Sequence, residues 1–429
     1  MKYLIISCLI LLAGCQTHHP VEDDGIFKVA TIKEPLSRVN IVDHSGLSET
    51  ITNRDRLKEL AQRNFLDPQP YRKVTRVYAR DSQGSMRTLI TSYYENGQIH
   101  QYLEVCNGRA SGLYQEWHSN GQKKLQAHVI AGQADIEEKA FPSWAFDGVS
   151  QAWNEQGVLV GEFQYVQGAL QNTANTFFDT GEKESVTAYK DGLQEGETSL
   201  YFKDGRVNET THFHKGLRDG SSAGYHPDGT MCWNETYHDD RLLEGTYLLP
   251  DGTILSSVAE GNGIRSLFDD GTLTTQQEVT NGLPEGEVTI FTSDGSVEQR
   301  YHIKKGIKNG TEIRYFPHST TPRLSIEWRD GMIHGMVKSW FASGKSESQR
   351  EMCQNMKQGL YTAWYSDGSI MVVEEYDNDK LVRGNYHRKG ESAPLSQVEK
   401  GAGIVVLFDD TGSIIEKIPY ADGKPQVKE

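Results

Sequence analysis

Fourteen histidines, 59 acidic side chains and five cysteines could supply acid–base, metal-binding or nucleophilic chemistry, and their spacing decides whether they do. The histidines are scattered. His212 and His214 fall at alternate positions of one expected strand, with no nucleophile motif beside them for an imidazole to activate. Asp269-Asp270 and Asp409-Asp410 read as turn residues rather than as a catalytic carboxylate pair. His18 and His19 lie in a polar stretch, Gln16 to Asp24, which reads as a flexible tether, with metal binding as the alternative. No Cys-x-x-Cys pair suggests zinc, and no glycine-rich loop follows a strand and opens a helix, as a phosphate loop would. The expectation is no catalytic residue, no metal and no cofactor.

The glycines that are absent from such loops organise the chain instead. Gly181, Gly205 and Gly229 stand 24 residues apart (205 − 181, 229 − 205), and Gly192 and Gly216 lie between them. The same alternation of 13 and 11 residues runs through Gly84, Gly97, Gly108, Gly121 and Gly132, and resumes after Gly157 and again after Gly271. Asn355 stands in for one glycine. Two short strands and two unlike turns therefore make one unit, and length counts units instead of domains. A hydrophobic content of 36%, 42 glycines and a net charge of −15 suit a wet, turn-rich β protein. The acidic balance, with no Lys/Arg cluster, argues against nucleic acid, because phosphate contacts need cations along their path.

Asn96-Gly97, Asn120-Gly121, Asp204-Gly205, Asp228-Gly229, Asp294-Gly295 and Asp367-Gly368 mark one series of tight turns. After these glycines, apolar residues prefer even offsets, as in Leu159, Phe163 and Tyr165 after Gly157. Four residues before them runs an aromatic row that includes Tyr93, Trp117, Trp153, Tyr201, Tyr225, Phe291, Trp340 and Trp364. For both rows to face inward, the position four before the glycine must pair with the one two after it. A three-residue loop with glycine last, a type I turn plus bulge, does this. The reading is a core spine in which each ring stacks on its equivalent one unit on; a carbohydrate-binding ladder is the rival. One residue later a second row, Tyr94, Phe178, Phe202, Phe316, Phe341 and Tyr365, with His118 and His226, should project from the other face. These six aromatics are the candidate contact face, either partly exposed on a single layer or packed inside a trough.

Before the repeats, Thr52 or Asn53 can cap a helix with Leu57, Leu60, Ala61 and Phe65 on one stripe, ended by Asp67-Pro68-Gln69-Pro70. This portion is expected to cover the open end of the sheet. Between Gly121 and Gly157 about twelve extra residues surround Phe141-Pro142-Ser143-Trp144-Ala145-Phe146, which suggests a lid or a local contact. Leu267-Phe268-Asp269-Asp270 recurs as Leu407-Phe408-Asp409-Asp410, with Gly261 and Gly263 matching Gly401 and Gly403. This reads as an internal duplication whose shortened units are bends, the second of which could cap the array.

At the start of the chain, Lys2, the apolar run Tyr3 to Leu12 and Leu12-Ala13-Gly14-Cys15 resemble a bacterial lipoprotein signal with its lipobox. The resemblance implies cleavage before Cys15, a diacylglyceryl group on its sulfur and anchoring by lipid. Gln16 in place of Asp implies sorting to the outer membrane. Ten apolar residues are too few to span a bilayer, which takes about 20. Cys106, Cys232 and Cys353 remain, and Cys106 and Cys353 lie many repeats apart, so no disulfide is expected between them.

The unit Tyr201-Phe202-Lys203-Asp204-Gly205…Lys215-Gly216…Gly220 resembles the bacterial variant of the MORN repeat, and similar units cover roughly residues 85–425. The resemblance implies a meander of β-hairpins and contact with proteins or membranes, with no catalytic residues. The expected fold is all-β: an elongated, twisted antiparallel meander of hairpin repeats with a small α+β N-terminal cap. The expected organisation is a signal peptide over 1–14, a lipidated tether over 15–24, the cap over 25–70 and repeat blocks over 71–272 and 273–429. The expected role is that of a lipid-anchored cell-envelope scaffold for a protein partner. A periplasmic immunity-type lipoprotein and a glycan or peptidoglycan binder are the alternatives.

Overall fold

The hairpin as the repeating element follows from where the backbone needs positive φ. In the computed structural model of the chain, residues 35–269 and 271–426 are described. The expected signal peptide, the tether with His18 and His19, Cys15 and Asp270 lie outside them. Strands account for 64% of the chain and helix for 4%, so the protein is all-β, a meander of antiparallel hairpins.

The three-residue loops form as expected. Tyr94 N–H donates to Gln98 O at 2.8 Å and Gly97 N–H to Tyr94 O at 2.9 Å, with Gly97 at φ 85°. The Asx residue before the glycine accepts the next-but-one N–H, as Asn96 Oδ1 does from Gln98 and Asp204 Oδ1 from Arg206. Asn96 and Asn120 also donate to Ser119 O and Glu155 O of the following loop, so the loops are bonded in series. The other turns are two-residue type I′ turns with both positions at positive φ, such as Asp191 at 51° and Gly192 at 80°. Asn355 adopts φ 67° in the glycine position, as expected for the residue that tolerates it best.

The pairing of the two rows is as expected, but their common face is not. Tyr93 pairs with Ile99, Trp117 with Lys123, Tyr201 with Val207 and Trp364 with Ile370. In each case the register then slips by one: Ser92 pairs with Gln101, Glu116 with Leu125 and Leu200 with Glu209. A bulge exchanges the two faces beyond it. The residues at offsets of six and eight therefore lie on the face opposite the first aromatic row.

That opposite face carries the main core. In it Ile90, Leu103, Tyr114, Ala127, Val129, Phe163 and Tyr165 are buried together. The first aromatic row is half-buried: Trp117, Tyr201 and Trp340 are each partly exposed, and Tyr93 is a buried exception. Nor do its rings stack on one another. Units advance by about 10 Å, whereas aromatic pairs meet at about 4.5–7 Å. The side chain two after the glycine fills the gap, so Lys123 Nζ lies 5.4 Å from the Trp153 ring centroid and Lys183 Nζ 6.0 Å from that of Tyr201.

The chain divides into two compact units, Met1–Ser222 and Ala223–Glu429, so the expected block boundary at 272/273 falls inside the second. In the first unit the N-terminal portion extends the sheet. Strand β1 (Leu36–Asp43) pairs with β2 (Ser48–Ile51) on one side and with β3 (Arg72–Arg80) on the other. Helix α1 (Arg54–Ala61) is capped by Asn53, whose side chain accepts from Asp55 N and Arg56 N, and it buries Leu57 and Leu60 on Val39, Ile51 and Val77. The helix ends six residues short of Asp67. Asn64 takes over the backbone there, accepting from Leu66 N and donating to Asp67, and such local bonds compete with helix. Phe65 still packs on the same cluster from outside the helix.

The insertion is a local contact. A short 3-10 helix, Glu138–Ser143, delivers Trp144 (2% exposed) edge-on to Tyr114 at 4.7 Å, and Phe146 packs at 5.5 Å from Tyr165. Trp144 Nε1 donates to Gln133 O, which locks the loop onto the core.

In the second unit the duplicated motifs are bends, and they are alike. Leu242 N–H donates to Gly282 O, although three strand spacings, about 14 Å in a flat sheet, would separate them. The sheet must therefore roll over itself. Leu381 N–H donates to Gly423 O in the same way, and Gly282 N–H to Gly261 O matches Gly423 N–H to Gly401 O. Inside each roll sits an equivalent cluster, Tyr237, Leu242, Tyr247 and Val258 in one and Tyr376, Leu381, Tyr386 and Val398 in the other.

Candidate contact surface

The second aromatic row sits where each three-residue loop closes, so its backbone is committed to the hairpin. Phe202 N–H donates to Arg206 O and Phe341 N–H to Lys345 O, both closing contacts of this kind. The side chains lean toward the next loop. Tyr94 Oη donates to Trp117 O at 2.8 Å, and His118 Nε2 lies 2.9 Å from Trp153 O. Tyr94, Phe178, Phe202, Phe316 and Phe341 are half-buried, so each offers part of a ring to solvent. Tyr365 does not. It is fully buried, donates its hydroxyl to His387 O and packs in the core with Val372 and Tyr376. His226 is likewise buried, edge-on to Phe268.

This row shares its face with a set of buried acids. In the second unit Glu235 accepts from Tyr237 Oη and Tyr247 Oη at 2.6 and 2.7 Å and from Arg265 Nε and Nη2 at 2.6 and 2.9 Å. Burial pushes its carboxyl up, and the Arg265 guanidinium outweighs that and holds it below the usual range. Glu312 is fully buried and accepts from Gln299, Lys308, Arg314 and Trp328. Its carboxyl is also held low, because Lys308 and Arg314 overcome the effect of burial. Glu374 accepts from Tyr376 and Tyr386 at 2.9 and 2.8 Å. These carboxylates are spent on side-chain bonds inside the fold, some within a strand, as from Tyr237 and Arg314, and some across strands, as from Tyr247 and Arg265.

The cysteines are also apart from any such arrangement. Cys106, Cys232 and Cys353 are free thiols, and burial pushes that of Cys232 up to about 12, away from reactivity.

A third row escaped the sequence reading. At five of the type I′ turns the residue that follows the glycine is apolar and exposed: Leu193 (50%) and Leu217 in the first unit, Leu283, Ile307 (48%) and Met332 in the second. At others it is polar or small, as in Arg109, Asn262 and Lys424. Each turn holds its glycine at positive φ and aims the next side chain out along the turn edge. A Cβ on Gly216 would lie 3.8 Å from Leu193 Cδ2, and one on Gly331 3.0 Å from Ile307 Cγ2, so each apolar side chain rests over the next turn. The spacing of about 24 is visible in the chain, but residue type alone does not separate an outward leucine from an inward one. No protein-family model matches the chain, and no curated protein matches it.

Proposed function

We propose that the chain is a lipid-anchored scaffold of the bacterial cell envelope that binds a protein partner along its repeated type I′ turns. One observation carries this reading: five large apolar side chains, Leu193, Leu217, Leu283, Ile307 and Met332, stand in solvent at one register of the repeat, where a folded chain has no use for them. The net charge of −15 turns the surface away from nucleic acid. The resemblance to the MORN repeat implies protein or membrane contact. The resemblance of Leu12-Ala13-Gly14-Cys15 to a lipobox supplies the anchor, at the outer membrane by the identity of Gln16. A role in binding rather than catalysis agrees with buried acids that serve the fold.

The test is affinity capture from detergent extracts, comparing the parent chain with Leu193→Ser plus Leu217→Ser and with Ile307→Ser plus Met332→Ser. Loss of one stoichiometric protein at unchanged circular dichroism supports the reading, and its retention by both variants refutes the turn surface. Envelope-assembly proteins as the captured species favour the scaffold, and one small protein favours the immunity alternative. Retention on peptidoglycan, lost in Phe202→Ala with Phe341→Ala, favours the glycan alternative. Cys15→Ser should release the protein from membranes, and unchanged partitioning of that variant refutes the anchor.

A further inference from the structure

A cleft of about 500 Å³ opens in the first unit between the β1–β2 hairpin, helix α1 with the residues after it, and the start of β3. That volume is in the range of small-molecule sites, about 300–1,000 Å³. Its apolar wall is Ile41, Leu47 and Leu60, with Leu47 73% exposed at the mouth.

The charges in the cleft are unevenly used. Glu49 pairs with Arg56 at 2.6 Å. Asp43 Oδ1 is occupied by Ser45 N, Ser45 Oγ and Leu47 N, which shape the hairpin. Glu59 lies on the α1 side, and its negative charge helps to hold Arg56 protonated. Arg63 and Arg72 remain, and neither forms an ion pair among the described residues. Arg72 Nη1 is buried with no acceptor among the described residues, a state that a guanidinium donor rarely tolerates. Burial lowers the Arg72 pKa; Tyr93 and the Glu49 charge act against this, and the nearby Arg63 charge adds to it. Arg63 beside Arg72, whose buried Nη1 lacks an acceptor although Glu49 is near, is an arrangement that an oxyanion at the donor relieves.

We propose that this cleft is a binding site for a small amphipathic oxyanion, a phosphate or carboxylate on an apolar group, with Arg63 and Arg72 taking the anion and Ile41, Leu47 and Leu60 the apolar part. The site is separate from the turn surface and does not depend on it. A guanidinium offers two parallel N–H donors to either oxyanion, which suits both headgroups.

The probes are butyl phosphate, butyrate, inorganic phosphate and butanol, titrated by calorimetry into the full chain at low salt. Binding of butyl phosphate or butyrate, at least about tenfold tighter than inorganic phosphate and absent for butanol, is the expected result. Arg63→Met, at an exposed position that the fold does not need, should weaken binding about tenfold or more, and Arg72→Met should abolish it. Arg72→Met should also leave the unliganded protein as stable as before, because the orphaned donor and the repulsion go together. The proposal is overturned if no anionic probe binds at 10 mM, on the order of the weakest specific affinities. It is also overturned if Arg63→Met binds butyl phosphate as the parent does.

Discussion

Arg265 and Glu235 form a bidentate pair across three strands, with Nε and Nη2 at 2.6 and 2.9 Å from the two carboxylate oxygens and the acid 2% exposed. The duplicated segment repeats everything around this pair except the cation: Glu374, Tyr376 and Tyr386 occupy the matching places, and Val405 stands where Arg265 would be. One sequence thus holds a buried carboxylate in two ways, with a guanidinium and with tyrosine hydroxyls alone.

The two sites should respond differently to loss of charge. Glu235→Gln strands the Arg265 cation in the interior, which costs on the order of 3–5 kcal/mol. Glu374→Gln strands no cation and keeps an acceptor for a tyrosine, so about 1–2 kcal/mol is expected. Urea unfolding of the two variants compares them directly. Equal losses would mean that the pair with Arg265 adds nothing to the tyrosine bonds.

Acid should act on the same groups. Glu312 and Glu235 have folded-state pKa values below the unfolded ones, so their stabilisation is complete above the ordinary glutamate value of 4.5 and is lost as pH falls through the depressed folded value. The parent protein should lose stability steadily below about pH 4.5, and Glu312→Gln, weaker at neutral pH, should show a shallower loss over that window. Thermal melts from pH 7 to pH 3 measure both slopes. Parallel curves would remove Glu312 as a source of acid sensitivity.

How much of this was legible depends on which residues the backbone constrains. Positive φ admits few residue types, so Gly97, Gly192 and Asn355 announced their turns, and the hairpin unit with them. The bulge after each three-residue loop admits any side chain, so nothing at His100 or Lys124 signalled that the faces exchange there. That one slip moved the core from the Trp117 row to the Tyr114 row. The half-burial of Phe202 and the full burial of Tyr365 were equally hidden, because neighbouring units decide them. Asn64 carried a readable signal, since an Asx residue at that place competes with the helix onto whose stripe Phe65 falls.

The insertion offers a direct test of core against lid. Trp144 is 2% exposed, meets Tyr114 edge-on and donates its indole N–H to Gln133 O. Trp144→Ala should therefore cost about 3–5 kcal/mol, the range for large buried aromatics. Denaturant unfolding gives the value. A change below about 0.5 kcal/mol, typical of surface positions, would make the segment a loosely held cover.

Glycines nine residues before the loop glycine make a different demand from the turn glycines, and a pair of alanine substitutions separates the two. Gly295 is at φ 84° with open space around a would-be Cβ, so Gly295→Ala meets only the left-handed penalty, about 1–2 kcal/mol. At Gly286, φ 113°, a Cβ would fall 2.0 Å from Glu278 Oε2, which accepts the Glu287 N–H at 2.8 Å. The alanine must push that carboxylate aside and break its bond, so Gly286→Ala adds about 1–3 kcal/mol to the same backbone penalty. Glu278→Ala in the Gly286→Ala background removes the carboxylate from the clash, leaving only the 2.9 Å approach of the two Cβ atoms, and should recover part of the loss, which a double-mutant cycle reads as coupling. Strictly additive costs would show that Gly286 is there for its φ alone. Coupling would show that the glycine exists to let the glutamate of one strand close over the backbone of the next.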